Sequence, residues 1–288
     1  MAYGPPLFVT LLGARATPVL ERLNGVFTAH RHGAGLDFPR MGDSSERWPI
    51  LVLQHAGCEP PGVYEDELLH RRVAFARVVL DEDEELPDWR AYAGIVAMGG
   101  AMSVYDEAEH PWLVPEKRLI AEAVGADVPY WGVCLGAQLL AASLGARVSR
   151  GAQAELGVLP VQLTAAAAED PVFAGLPASF QTLQWHSETY ELPPGAVQLA
   201  RSSSYEQQAF VVGRAYALQF HLEVDSALAG EWMGVSEFAD ELQQLHGEGA
   251  PAALLAQVGA AERETVRLAR ELFSRWLLNV VGLQETPA

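Results

Sequence analysis

The sequence predicts an α/β fold, a three-layer sandwich with a mainly parallel central sheet. Three observations predict it. Short apolar runs of strand length alternate with stretches of helical spacing from residue 49 onward. The early runs lack the in–out alternation of a half-buried strand, as expected where both faces of a sheet are covered. No internal repeat and no Gly/Ser/Pro-rich linker interrupts residues 49–284, so that span reads as one domain.

The elements follow in order. Ile50 to Gln54 is a buried-strand run, Pro60-Pro61-Gly62 turns the chain, and Val63 to His70 is helical. Ala74 to Leu80 is the next strand, followed by the acidic run Asp81 to Glu85, which reads as a solvated loop. Gly94 to Met98 is a third strand and ends in Gly99-Gly100. Leu113 to Val124 has helical spacing, and Tyr130 to Val133 is a fourth strand leading into Cys134. A helix from Leu135 to Leu144 stops at Gly145. The chain then becomes strand-rich, with Val158 to Leu163, Phe180 to Trp185, Val197 to Ala200, Ala209 to Val212 and Ala215 to His221. A final helix carries Val266, Ala269, Phe273, Trp276, Leu277 and Val280 on one stripe, ahead of Gly282.

The ends differ. Residues 1–48 hold five Arg and four acidic residues, a net of +1 against −18 for the whole chain, and Gly, Pro and Arg break any periodicity from 31 to 47. They read as a loosely ordered extension, with Leu7 to Leu12 a candidate strand and Val19 to Phe27 a candidate short helix; residues 285–288 read as a tail.

Charge and cysteine usage narrow the function. A net charge of −18, with Lys117 the single lysine, excludes a nucleic-acid partner that needs clustered cations. No run of 18 apolar residues exists for a membrane helix, and Leu7 to Leu12 is too short for a signal peptide and lacks a basic lead. The expected compartment is the cytoplasm. Two cysteines, Cys58 and Cys134, make no disulfide framework, and no Cys/His spacing suggests zinc.

Gly132-Val133-Cys134-Leu135-Gly136 is the strongest local signal. A nucleophile with glycines two residues to either side, between strand and helix, belongs on a sharp turn that exposes its sulfur at the helix N-terminus. The helix dipole and a nearby imidazole would both favour thiolate. The imidazole candidate is His221, at the end of a predicted strand in Gln219-Phe220-His221-Leu222-Glu223. Alternation places Glu223 on the same side, where it can hold one ring nitrogen while the other faces the thiol. Gly99-Gly100, also at a strand end, can turn backbone N–H groups toward a ligand, and one of them together with the Leu135 N–H would suit an oxyanion. Cys58 reads as an unreactive bystander, His110 as a helix-entry residue and Asp106 as a turn cap; for His186 a structural and a pocket role stay open.

Taken together, MGGAMSVYD (98–106) with HPW (110–112), GVCLGAQLLA (132–141), QWHSETY (184–190) and LQFHLEV (218–224) make the chain resemble the class I glutamine amidotransferases, in particular their stand-alone GMP-synthase-like branch. The resemblance runs from about Ile50 to Leu283. It implies Cys134 as nucleophile, His221 as acid/base and Glu223 as its orienter, with Gly100 and Leu135 donating to the oxyanion. It also implies that Gly99, Gln138, Trp185, His186 and Ser187 line a glutamine pocket, and that neither metal nor organic cofactor is needed. The expected substrate is glutamine or a γ-glutamyl compound, with ammonia passed to a separate synthase subunit. The alternatives are a γ-glutamyl peptide hydrolase using the same triad and a catalytically idle binding or regulatory module. One departure stands out: the family usually reads His-Pro-Glu, and here Leu222 takes the place of proline, which is expected to loosen the turn.

Overall fold

A computed structural model of the protein describes residues 48–82 and 85–284. The expected extension, apart from Trp48, and the tail 285–288 lie outside the described residues. The elements are β1 (Ile50–Gln54), α1 (Val63–His70), β2 (Phe75–Val79), β3 (Gly94–Ala97), α2 (Leu113–Gly125), β4 (Tyr130–Val133), α3 (Leu135–Ser143), β5 (Val148–Leu163), β6 (Ser179–Tyr190), β7 (Val197–Arg201), β8 (Ala209–Val212), β9 (Ala215–Leu218), α4 (Ser226–Gly234), α5 (Ser236–His246) and α6 (Ala250–Arg275).

One sheet of nine strands runs in the order β2-β1-β3-β4-β9-β8-β7-β5-β6. From β2 to β9 every neighbour is parallel, and from β9 to β6 every neighbour is antiparallel. The apolar runs behave as two-sided strands must. Ile50 and Val52 pack with Val63, Tyr64 and Leu68 of α1 and Leu268, Leu272 and Phe273 of α6. Leu51 and Leu53 point the other way, onto Leu113 and Ile120 of α2 and Leu139 and Leu140 of α3. Helices therefore cover both faces of the parallel strands, giving the three layers.

Two departures from the sequence reading matter for the site. The strands β5 and β6 are longer than their apolar runs, 16 and 12 residues, and continue through polar stretches past a register shift between Arg150 and Glu155. The chain from Ser226 to His246 and the first half of α6 are helical, where only the last residues were expected to be. Their stripe is thin: Leu228, Trp232, Leu242, Leu254 and Val258 bury against Leu156 and Leu183 of the β5–β6 ribbon in a third core. After Arg275 the chain widens into π-helix from Trp276 to Val281 and ends at left-handed Gly282, φ 82°.

Residues 1–48 differ from the rest in charge balance, and no helical or strand period survives from 31 to 47. A chain starting at Arg47 is therefore expected to unfold at the same temperature as the full chain, within a few degrees, when both are followed by circular dichroism. A shift of tens of degrees, or aggregation, would show that the first residues complete the domain.

Candidate active site

The carboxyl ends of β1, β3, β4 and β9 are neighbours in the parallel part of the sheet, the usual ligand edge of such folds. Cys134 follows β4 with φ 50° and ψ −105°, a conformation that non-glycine residues avoid. Its N–H donates to Leu218 O at 2.8 Å, and the N–H of Gly136 donates to Met98 O at 3.0 Å. The flanking glycines have steric causes. A Cβ on Gly132 would lie 2.6 Å from Gly136 O, and one on Gly136 would collide with the Ala97 carbonyl. Strand and helix approach so closely that neither position tolerates a side chain. The sulfur is 3.9 Å from Trp185 O and receives Gln219 Nε2 at 3.6 Å.

His221 lies beyond β9 and is held by a two-bond antiparallel bridge to Leu183, N–H to O at 2.8 and 3.2 Å. The segment bends after it, so the His221–Glu223 pairing comes from a turn and not from strand alternation. Nδ1 of His221 meets Glu223 Oε1 at 2.6 Å, with both side chains almost fully buried. Burial by itself would strip the proton from this ring. The Glu223 charge and hydrogen bonds to Cys134 and Glu223 outweigh it and hold the imidazole well above its usual range. Glu223 Oε2 also accepts from the Leu222 N–H at 3.0 Å. Proline would lack that donor, so Leu222 tightens the turn that its substitution was expected to loosen; its own side chain is fully buried.

The tandem glycines sit between these groups. A Cβ on Gly99 would collide with the Glu59 carboxyl and lie 3.3 Å from His221 Cε1. One on Gly100 would lie 2.7 Å from Leu135 Cδ2. Among the described residues neither the Gly100 N–H nor the Leu135 N–H has an acceptor, the latter because it opens a helix. Gln138 is buried and donates to Gln219 at 3.2 Å. Trp185 turns its indole to Trp232 and Phe238, at ring distances of 6.0 and 5.6 Å, and donates Nε1 to Glu241. Ser187 is half-buried beside it on β6. His186 stands apart: its Nδ1 faces Glu188 O at 2.9 Å and its Nε2 faces Glu155 at 3.3 Å, so both nitrogens are occupied. Asp106 caps its turn by accepting from Ser103 N at 2.7 Å, and His110 O accepts from Leu113 N at the entry to α2.

Three residues at this edge escaped the sequence reading. Gln219 touches the sulfur although it stands inside a quoted motif. His55 and Glu59 follow β1, and their position at the carboxyl end of a central parallel strand was the available signal. Glu59 is buried against Gly99 and His221. Burial, aided by the Glu223 charge and opposed by His221 and His55, pushes its carboxyl up to about 7. Among the described residues no group of three or more His, Cys, Asp or Glu is arranged to hold a metal ion, and no helix is long and apolar enough to cross a membrane.

A cysteine on a sharp strand–helix turn of a parallel sheet, with a buried imidazole–carboxylate pair at the next strand end, has counterparts among known proteins. The class-I glutamine amidotransferase family matches residues 63–239, and the chain belongs to that family. A glutamine amidotransferase from Thermotoga maritima superposes with a TM-score of 0.74 at 31% identity, over 83% of this chain and 100% of that one. One from Methylobacillus flagellatus gives 0.75 at 28%, over 84% and 98%. In sequence, the chain is 36% identical over 164 residues to the glutamine-hydrolyzing GMP synthase of Thermomicrobium roseum, covering 55% of this chain and 29% of that protein. It is 37% identical over 108 residues to one of the subunits of the glutamine-hydrolyzing GMP synthase of Pyrococcus abyssi, covering 36% and 56%. The chain thus spans well under two thirds of either curated relative.

Glu59 generates a pH prediction. Its folded pKa of about 7 exceeds its unfolded value of 4.5, so between these pH values the folded state holds more protons than the unfolded one. Stability contributed by this site is therefore full below pH 4.5 and falls as pH rises through 7, by about 3 kcal/mol at most. Glu59→Gln should be the more stable protein at pH 8 and lose that advantage near pH 4.5 in denaturant titrations. A constant difference across that range would reject the assignment.

Proposed function

We propose that the protein is a cysteine-dependent amidase that hydrolyses the side-chain amide of glutamine through a γ-glutamyl thioester. The observation that carries this reading is the buried His221–Glu223 pair, 2.6 Å apart, which interacts with a cysteine held at φ 50° on a strand–helix turn. In this reading Cys134 Sγ attacks the amide carbon and the C=O electrons move onto oxygen. The N–H groups of Gly100 and Leu135 stabilise that oxyanion. Protonated His221 gives its proton to the nitrogen, the C–N bond breaks and ammonia leaves. Water then loses a proton to His221, attacks the thioester carbon and releases glutamate and the thiol. Glu223 keeps the ring in one orientation with Nδ1–H toward the carboxylate. Gln138, Trp185, Ser187 and Gly99 form the proposed binding surface; His186, with both nitrogens occupied, supports the wall behind it.

Ammonia released here would pass to a separate synthase chain. The support is the relative from Pyrococcus abyssi, itself one subunit of a glutamine-hydrolyzing GMP synthase. A second reading, a γ-glutamyl peptide hydrolase with the same triad, is favoured by the cluster of Trp185, Trp232 and Phe238, which reaches His221 through Trp232 at a ring distance of 5.2 Å.

Purified full-length chain should convert glutamine to equimolar glutamate and ammonia. Cys134→Ala should abolish this, His221→Ala should cost on the order of a hundredfold or more, and Glu223→Ala should cost less. Cleavage of γ-glutamyl peptides without glutaminase activity would favour the second reading. No turnover of either would leave an idle module. Thiol labelling gives an independent check. Burial and the Glu59 charge push Cys58 up to about 11, so iodoacetamide should modify Cys134 first, with loss of activity. Preferential labelling of Cys58 in a protein that stays active would sink the nucleophile assignment.

A further inference from the structure

The Gly99–Gly100 peptide is a joint between two glycines at this site. Glycine reaches both signs of φ at little cost, so a peptide between two glycines can turn over more easily than any other. Its orientation matters, because in a planar trans peptide the C=O and the N–H point in opposite directions. If the Gly99 carbonyl turned toward Cys134, the Gly100 N–H would be withdrawn and an acceptor would face the site instead.

The structure contains a device aimed at this peptide. His55, the first residue after β1, is fully buried and presents Nδ1 to Gly99 O at 3.1 Å. Because that partner is a carbonyl, Nδ1 must carry the hydrogen and donate it. The opposite ring nitrogen, Nε2, meets Glu116 Oε1 of α2 at 2.8 Å, and Glu116 is equally buried. The ring plane is fixed by Trp112, stacked on it at 5.5 Å and 18°. Two contacts, from Glu116 in α2 and Trp112 at its N-cap, thus aim one N–H at one carbonyl. Among the described residues no hydrogen bond or ring contact joins His55, Glu116 or Trp112 to Cys134, His221 or Glu223.

We propose that His55, backed by Glu116 and Trp112, is a positioning residue that locks the Gly99–Gly100 peptide with its N–H turned toward Cys134. The inference rests on the reading of Gly100 as an oxyanion donor. It explains why a buried ion pair stands beside a site whose mechanism does not use it. Burial alone would drive the proton off His55. Glu116 and the Gly99 carbonyl outweigh it and raise the ring's proton affinity. The HPW stretch gains a role as well: Trp112 clamps His55, and His110 packs against Trp112 at 5.6 Å.

The test uses full-length protein with His55→Phe, His55→Gln and Glu116→Gln, each checked for its unfolding temperature. Loss of the lock should lower kcat for glutamine about ten- to a hundredfold in His55→Phe, a part of the loss from deleting an oxyanion donor, with KM changed less than about threefold. Alkylation of Cys134 by iodoacetamide, a displacement that forms no oxyanion, should keep its wild-type rate. His55→Gln, which retains one donor, should lose less. Glu116→Gln, which still offers an amide partner to Nε2, should stay within a few-fold of wild type. A folded His55→Phe protein with wild-type kcat would overturn the lock. So would alkylation that falls in step with kcat, since the pair would then act on the thiol and not on the peptide. Crystal structures of the wild type and His55→Phe, which removes the donor, separate this from the broader reading: a reoriented or mixed Gly99–Gly100 peptide in the variant supports the lock even if glutamine is not the substrate, and an unchanged peptide refutes it.

Discussion

Everything at this site depends on how closely α3 lies over the strands that precede it. Gly136 sits on the Ala97 carbonyl and Gly132 beneath Gly136, and no side chain fits at either place. That contact has three consequences. It forces the intervening Cys134 into φ 50°, which lifts the sulfur off the sheet edge. It leaves the first helical N–H, that of Leu135, without an acceptor among the described residues. It also commits the Met98 carbonyl to Gly136 N, so the chain must turn at the very next residues, Gly99 and Gly100. The sharp turn at Cys134, the unengaged Leu135 N–H and the glycine turn are thus three results of one packing constraint.

Electrostatics then distinguish among similar parts. Among the described residues, three buried histidines each meet a carboxylate: His55 with Glu116 at 2.8 Å, His186 with Glu155 at 3.3 Å, and His221 with Glu223 at 2.6 Å. All three rings have a carboxylate partner, so the pairing alone does not make a base. His186 and His55 each turn their remaining nitrogen to a carbonyl, Glu188 O and Gly99 O. Of the three, His221 is the one with a thiol as its other neighbour. The chain's large negative charge plays no part in this choice, which the buried neighbours of each ring decide.

How much of this was legible beforehand follows from what each residue's neighbours are. The parallel strands were readable because both their faces are buried, which makes them continuous apolar runs, and Cys134 was readable because its glycines are neighbours in sequence. The long ribbon β5–β6 was only partly readable, since its polar residues satisfy the ladder hydrogen bonds as well as apolar ones do. α4 and α5 were missed for a different reason. Each buries few side chains, chiefly Leu228, Ala229 and Trp232 in one and Leu242 in the other, too few for a stripe to rise above the pattern. His55 and Glu59 were missed because their meaning lies in partners 61 and roughly 40 residues away, Glu116 and the tandem glycines.

Leu222 shows why a motif departure has to be judged by atoms. A proline at that position would constrain one backbone angle and thereby hold the residue after histidine in place. Leucine gives up the constraint but restores an N–H, and the turn directs that N–H to Glu223 Oε2 at 3.0 Å. Glu223 therefore has both oxygens engaged, Oε1 by the ring and Oε2 by the backbone of the intervening residue. A carboxylate held at two points cannot rotate without breaking a buried hydrogen bond, which costs on the order of 1–3 kcal/mol. The leucine side chain adds a second restraint by burying completely in the core that also holds Phe220 and Val63. The same segment is tied to α1, where Val63 N donates to Glu223 O at 3.0 Å and Gly62 leaves the room for that approach. Rigidity that a ring closure would have supplied locally comes here from one backbone hydrogen bond and from packing against the first helix.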